Sequence, residues 1–183
     1  MKLIYSIPDK LYYIQNFLDY STYKRIHHFI FKERKKINLH TSEGIWEENL
    51  INNIVPPKIV SIDKHPSFEK LKILTHRNQF YQLKNFKEFN SIVHYMEKGA
   101  GINWHNDRNW TYGATYYINN KWNTQFGGEL MFNSENGHGY IPVVGNSLVI
   151  IKTPLQHKVN PVLSPIVPRV SVQMFLGKGK NNE

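Results

Sequence analysis

Apolar and polar positions change their rhythm near residue 86. Before it the spacing is helical. In "STYKRIHHFIFKE", Tyr23, Ile26 and Ile30 fall on one face, which predicts an amphipathic helix with Ser21 or Thr22 as N-cap. A second helix is predicted over "SFEKLKILTHRNQ", with Ser67 as cap and Glu69 in the first turn. Between them "NNIVPPKIVSIDKHP" carries Pro56, Pro57 and Pro66 and should be extended or looped. Beyond residue 86 the period is two. "KEFNSIVHYME" sets Phe89, Ser91, Val93 and Tyr95 on one face and Ile92, His94 and Met96 on the other. "YGATYYIN", "NSLVIIKT" and "RVSVQMFL" are rich in aromatic and β-branched residues, and Gly, Asn and Pro turns separate them. The pattern predicts a mainly β fold with flanking helices: a jelly-roll, or double-stranded β-helix, of the cupin-like kind. One domain is expected over 1–183. Residues 1–85 would form an N-terminal strand and supporting helices, 86–176 the jelly-roll core, and 177–183 a frayed tail.

Composition narrows the chemistry. The chain has 183 residues, 40% of them hydrophobic, enough to bury a real core. It has no Cys, which excludes a disulfide framework and any thiolate metal site, so a metal here must be held by His, Asp or Glu. The formal charge is +9, but the basic residues are scattered, and the densest run, "FKERKK", reads as the solvated end of a helix. The charge leaves a nucleic-acid partner open without calling for one, because net charge informs on association rather than on chemistry. The opening "MKLIYSIPDK" has no apolar run long enough for a signal peptide, and no stretch is long enough to span a membrane. A soluble, cytoplasmic protein with no membrane partner is expected.

Candidate chemistry gathers in "NWHNDRNW". On a strand His105 and Asp107, two apart, would share a face. A third ligand is needed, and His157 in "TPLQHKVNP", just after the strand "NSLVIIK", is the first candidate. His138 competes, but it sits in the Gly-flanked loop "NGHGY". Two His and one carboxylate on one face of an octahedron leave three positions open, the arrangement of non-haem Fe(II) oxygenases. Zinc enzymes use the same set, with an activated water in the open position. Arg169 and Ser171, two apart at the start of "RVSVQMFL", would offer a cradle for a ligand carboxylate. The alternative for Arg169 is an exposed strand-edge charge. Its place in an otherwise apolar strand, after Pro168, argues against that.

From about Ile92 to Phe175 the chain resembles the Fe(II)- and 2-oxoglutarate-dependent dioxygenases, in particular their prolyl 4-hydroxylase-like branch. The resemblance rests on "HYMEKGAGINWHND", "YYINNKW", "FGGELMF", "HKV" and "RVS" in that order, and "YIQNFLDYSTYKRIHHFI" is similar to that branch's entry strand and helix. It implies a single dioxygenase domain that hydroxylates an unactivated C–H bond. Fe(II) is the implied metal, 2-oxoglutarate and O2 the co-substrates, and ascorbate a candidate reductant. By the same resemblance His105, Asp107 and His157 are the iron ligands. Arg169 would bind the distal carboxylate of 2-oxoglutarate, Ser171 completing an Arg-x-Ser pair, and the hydroxyls of Tyr95 and Tyr117 would help hold it. Gly127 and Gly128 would let backbone approach beside the metal, and Glu129 would be structural. The interval from His157 to Arg169, with Pro161, Pro165 and Pro168 inside it, is longer than usual in this branch, so an enlarged turn is expected. An Asp at position 107 also argues against the halogenating relatives.

For the substrate, Trp104, Arg108, Trp110 and Trp122 would line an aromatic groove, and the resemblance points to peptidyl proline. A free amino acid or other small metabolite is the alternative. A nucleic-acid demethylase comes third, because such relatives carry a second Arg where this chain has Phe175. A non-catalytic β-barrel binding module, metal-free or zinc-holding, is the reading from a different class.

Overall fold

In the computed structural model, residues 1–32, 40–41, 48–62, 66–77 and 89–178 are described. The first predicted helix forms as α1, Tyr20–Lys32, but its cap is Asp19, two residues before Ser21 and three before Thr22. Asp19 accepts hydrogen bonds from the Thr22 N–H at 2.9 Å and from the Ser21 and Thr22 hydroxyls at 2.7 and 2.8 Å. A carboxylate satisfies the orphan donors and also complements the positive helix end, so Ser21 and Thr22 become its partners rather than the cap. Four such donors, Lys70 foremost, hold the Asp19 carboxyl below the ordinary carboxylate range.

The second predicted helix forms as α3, Glu69–His76, after the short α2, Glu48–Ile51. The cap position does not fall on Ser67. A turn of 3-10 helix, Pro66–Phe68, leads in, and Phe68 occupies the cap position with no side-chain cap hydrogen bond. The predicted end of that helix beyond Arg77, most of the basic run at 31–36, the start of the strand expected from 86 and most of the tail lie outside the described residues.

Among the described residues twelve strands make two antiparallel sheets. The larger runs β1-β2-β10-β7-β12-β5-β4-β3 and the smaller β6-β11-β8-β9. The strands are β1 Lys2–Ile7, β2 Leu11–Gln15, β3 His40–Thr41, β4 Lys58–Ser61, β5 Phe89–Met96 and β6 Ile102–His105. They continue as β7 Trp110–Tyr117, β8 Leu130–Ser134, β9 Gly137–Ile141, β10 Ser147–Lys152, β11 Gln156–Val159 and β12 Arg169–Lys178. This is the double-stranded β-helix that the alternation predicted. The N-terminal half does more than brace it: β1 and β2 extend one edge of the larger sheet, and β4 pairs with β5 at the other.

The larger sheet is covered on both faces, and most of its strands are correspondingly apolar. Its outer face presents Val93, Tyr95, Tyr116, Leu148, Val170 and Val172 to Ile26 and Ile30 of α1 and to Phe68 and Leu71 beside and within α3. Its inner face brings Leu11, Tyr13, Tyr117 and Val149 against Leu130, Phe132 and Ile141 of the smaller sheet. Alternation thus sends Tyr116 to the helices and Tyr117 into the barrel. No described helix is long and apolar enough to cross a membrane.

Candidate active site

The pairing of β6 with β11 sets His105 directly opposite His157, ring centroids 4.2 Å apart. Asp107 joins them by a different route from the one expected. The strand ends at His105, and Asp107 takes a left-handed backbone, φ 45°, in the turn that follows. That turn is closed by the Trp110 N–H, which donates to the Asp107 carbonyl at 2.8 Å, and by the Thr153 hydroxyl, which donates to the Trp110 carbonyl at 2.8 Å and lies 3.3 Å from that of Asp107. Asp107 therefore faces the two imidazoles because the chain doubles back, not because residues two apart share a strand face. Gly113 on β7 makes room for it: a Cβ there would sit 2.1 Å from Asp107 Oδ2.

The three side chains offer ligand atoms within 4.8 Å of one another. His105 Nε2 lies 3.6 Å from Asp107 Oδ1, and His157 Nε2 lies 3.5 Å from Oδ2. These separations are too long for good hydrogen bonds, and Oδ2 is buried without one. Each His Nδ1 meets a carbonyl that can only accept, Asn103 at 2.8 Å and Leu155 at 3.0 Å. Each Nδ1 therefore carries the proton, and each Nε2 turns a lone pair toward Asp107, as the backs of metal-ligating histidines are arranged. Burial, then the neighbouring His157, pushes His105 down to about 4, so its imidazole is neutral. Burial works to raise Asp107, but His157, then His105 and His94, outweigh it and hold the carboxyl below its usual value. Burial would lower His157, yet the Asp107 carboxylate raises it. A carboxylate that draws a proton to its neighbour here would equally draw a metal cation, which competes with that proton. His138 is elsewhere: its ring lies 5.9 Å from that of Trp104 and it takes no part in the triad.

Deeper in the barrel Arg169 is 1% exposed. Its Nη1 donates to Ser171 Oγ at 3.1 Å and lies 3.3 Å from Met96 Sδ, while Nε and Nη2 have no partner. The guanidinium sits 5.0 Å from the centre of the Tyr117 ring, and the Tyr117 hydroxyl is likewise buried without a hydrogen bond. Orphaned buried donors around a guanidinium are what an anionic ligand satisfies. The enlarged proline turn does not displace this cation. Asn119 fixes the start of β12, donating to the Pro168 carbonyl at 2.9 Å and accepting from the Val170 N–H at 2.7 Å. Asn119 was not visible as a site residue in the sequence, where nothing tied it to Pro168.

Several expected site residues stand elsewhere. Tyr95 points away from the barrel interior: its hydroxyl donates to the Ile30 carbonyl of α1 at 3.3 Å, and its ring lies in the helix-side core. The alternation had set His94 on the opposite face, and it is His94 that lines the cavity, in register with Ser171. Burial, then Arg169, pushes His94 down to about 3, so it too is neutral. Gly128 (φ 76°) makes room for Arg169 rather than the metal site, since a Cβ there would come 2.8 Å from its Cδ; Gly127 packs against the Pro161 carbonyl. Trp104, Arg108 and Trp110 line one cavity of about 450 Å³ together with the triad, Thr115, Gln173 and Phe175. Trp110 stacks on Phe175 at 5.5 Å. Trp122 is not part of that wall: its indole N–H donates to the Gly127 carbonyl at 2.9 Å and its ring packs on Phe126.

No curated protein matches the sequence. Among solved structures, a Pseudomonas putida prolyl-4-hydroxylase superposes with a TM-score of 0.71 at 17% identity, covering 92% of both chains. A Trichoplax adhaerens prolyl hydroxylase, solved with a peptide fragment of the hypoxia inducible factor oxygen degradation domain, gives 0.73 at 18% identity. That match covers 94% of this chain and 86% of the other. A Burkholderia pseudomallei oxidoreductase of the 2OG-Fe(II) oxygenase family gives 0.68 at 13%, over 96% and 90%. Residues 91–177, the barrel that carries the triad and Arg169, match the family described as the 2OG-Fe(II) oxygenase superfamily. Over residues 91–177 the chain is thus similar to that superfamily, and as a whole it has the fold of the prolyl 4-hydroxylases.

Proposed function

We propose that the protein hydroxylates proline within a peptide. His105, Asp107 and His157 would hold Fe(II), each imidazole fixed from behind by a carbonyl. Arg169, supported by Ser171 and faced by the Tyr117 hydroxyl, would take the distal carboxylate of 2-oxoglutarate. Neutral His94 would form the polar wall between the two. Held there, Fe(II) with 2-oxoglutarate and O2 would supply the oxidising power for hydroxylation. The protein's part is to orient the substrate carbon and keep competing water out. The observation that carries the reading is the pairing of a triad with a buried cation whose Nε and Nη2 lack partners.

The peptide assignment is supported by the prolyl hydroxylase neighbours, one of them solved with a peptide, and by the mouth of the cavity. Exposed Trp104 and Arg108, with the Trp110–Phe175 stack, offer surfaces on which an extended chain can lie and be held by main-chain hydrogen bonds. The cavity volume, about 450 Å³, also suits a free amino acid or small metabolite, which is the second reading. A panel of proline peptides, free proline, other amino acids and methylated oligonucleotides separates them. Proline peptides should stimulate succinate formation and gain one oxygen by mass. Oxygen gained only by a free amino acid, or methyl lost only from an oligonucleotide, would end the peptide reading.

A further inference from the structure

Two of the three ligand side chains have a partner behind them, and the third does not. His105 and His157 give their Nδ1 protons to carbonyls, whereas Asp107 Oδ2 is buried and accepts no hydrogen bond. Carboxylates that ligate metals are ordinarily hydrogen-bonded in their turn. A donor of the right kind stands beside this one. Gln173 on β12 is in register with Thr115 on β7, and the Thr115 hydroxyl donates to Gln173 Oε1 at 2.6 Å. A hydroxyl proton bound at the carbonyl end of the amide sends the two Nε2 protons the other way. Nε2 and Asp107 Oδ2 converge on one point, the place a Cβ on Gly113 would fill: it lies 3.5 Å from the first and 2.1 Å from the second. Both Thr115 and Gln173 line the cavity that holds the triad.

We propose that Gln173, oriented by Thr115, is a positioning residue that donates its amide N–H to the Asp107 oxygen left free by the metal. The proposal rests on the reading that the triad holds a metal. Each group then has a distinct part. Thr115 fixes which end of the amide faces Asp107, Gln173 supplies the donor, and Gly113 keeps the space between them clear. A carboxylate held this way binds through one oxygen in a fixed direction and keeps the remaining metal positions open. The plainer role for the Thr115–Gln173 pair is a cross-strand hydrogen bond that steadies the sheet. Metal affinity distinguishes the two.

The experiment is titration of the purified full chain with Mn(II), followed by electron paramagnetic resonance in the absence of 2-oxoglutarate. Circular dichroism on each variant checks the fold. Gln173→Leu should weaken Mn(II) binding about 10- to 100-fold, the usual effect of removing a partner behind a ligand. Thr115→Val, which keeps Gln173 but releases its amide, should lose affinity in the same direction and by less. Added to Gln173→Leu, it should cost nothing further. Wild-type affinity in folded Gln173→Leu overturns the proposal, and so do full, independent losses from the two substitutions. If Gln173→Leu does not fold, undiminished affinity in Thr115→Val overturns it alone. A wild-type chain that takes up no Mn(II) overturns the metal reading itself, a result distinct from either.

Discussion

A guanidinium 1% exposed, with no carboxylate of the described residues paired to it, is costly to keep folded unless a ligand completes it. Arg169→Ala should therefore raise the 2-oxoglutarate requirement sharply, by roughly 2–5 kcal/mol in binding, since a buried carboxylate loses its charged partner. Arg169→Lys should recover part, keeping the charge but not the fork. Tyrosine hydroxyls give the internal control. Tyr117→Phe should raise the KM for 2-oxoglutarate, and Tyr95→Phe, whose hydroxyl meets the Ile30 carbonyl, should leave it unchanged. Titration calorimetry of 2-oxoglutarate against each variant checks both. At this scale the sequence was legible where polar chemistry interrupts apolar strands: it singled out His105, His157 and Arg169 on strands and Asp107 just past one, and the fold brings the two His and Asp107 together. Tyr95 misled because two apolar faces look alike from one chain, and nothing local says which turns inward.

Elements were legible by their rhythm and less so by their ends. α1 carries the predicted apolar stripe, with Tyr23, Ile26 and Ile30 all buried, yet its cap is Asp19, not the hydroxyls that follow. The strands of the larger sheet read as near-continuous apolar runs because helices cover one face and the smaller sheet the other. That erased the in–out contrast which would have separated His94 from Tyr95. The turn after β6 was hidden for another reason. His-x-Asp reads as a strand, and the left-handed turn at Asp107 is closed by partners distant from that pattern, Trp110 at the start of β7 and Thr153 just beyond β10. The helix-side core is the element-scale test. Ile26 is fully buried between α1 and the sheet, so Ile26→Ala should cost about 2–5 kcal/mol of stability. Urea unfolding followed by circular dichroism measures that loss. A loss under about 1 kcal/mol, on the scale of a surface substitution, would mean that α1 does not seal the sheet.

Over the whole molecule, buried neutral imidazoles couple the interior to pH. His94 is held at about 3 in the fold by burial, then by Arg169, against about 6.5 for an unfolded chain. Below about 6.5 the unfolded chain takes up a proton that the folded one refuses, so acid favours unfolding. The stability tied to His94 is thus fully present above about 6.5 and is lost progressively as pH falls toward about 3. The urea midpoint should fall through that window, and His94→Gln should flatten the slope by about one proton. An unchanged slope would place His94 in contact with solvent.

In the proposed function His105, Asp107 and His157 hold Fe(II) while Arg169 holds 2-oxoglutarate beside it. The most direct measurement is the visible spectrum of the protein with Fe(II) and 2-oxoglutarate under anaerobic conditions. The wild-type chain should show the weak metal-to-ligand charge-transfer band of the chelate. It should vanish in folded His105→Ala, Asp107→Ala and His157→Ala and persist in His138→Ala. A folded wild-type protein with no band, or a band lost in His138→Ala and kept in His157→Ala, would contradict it.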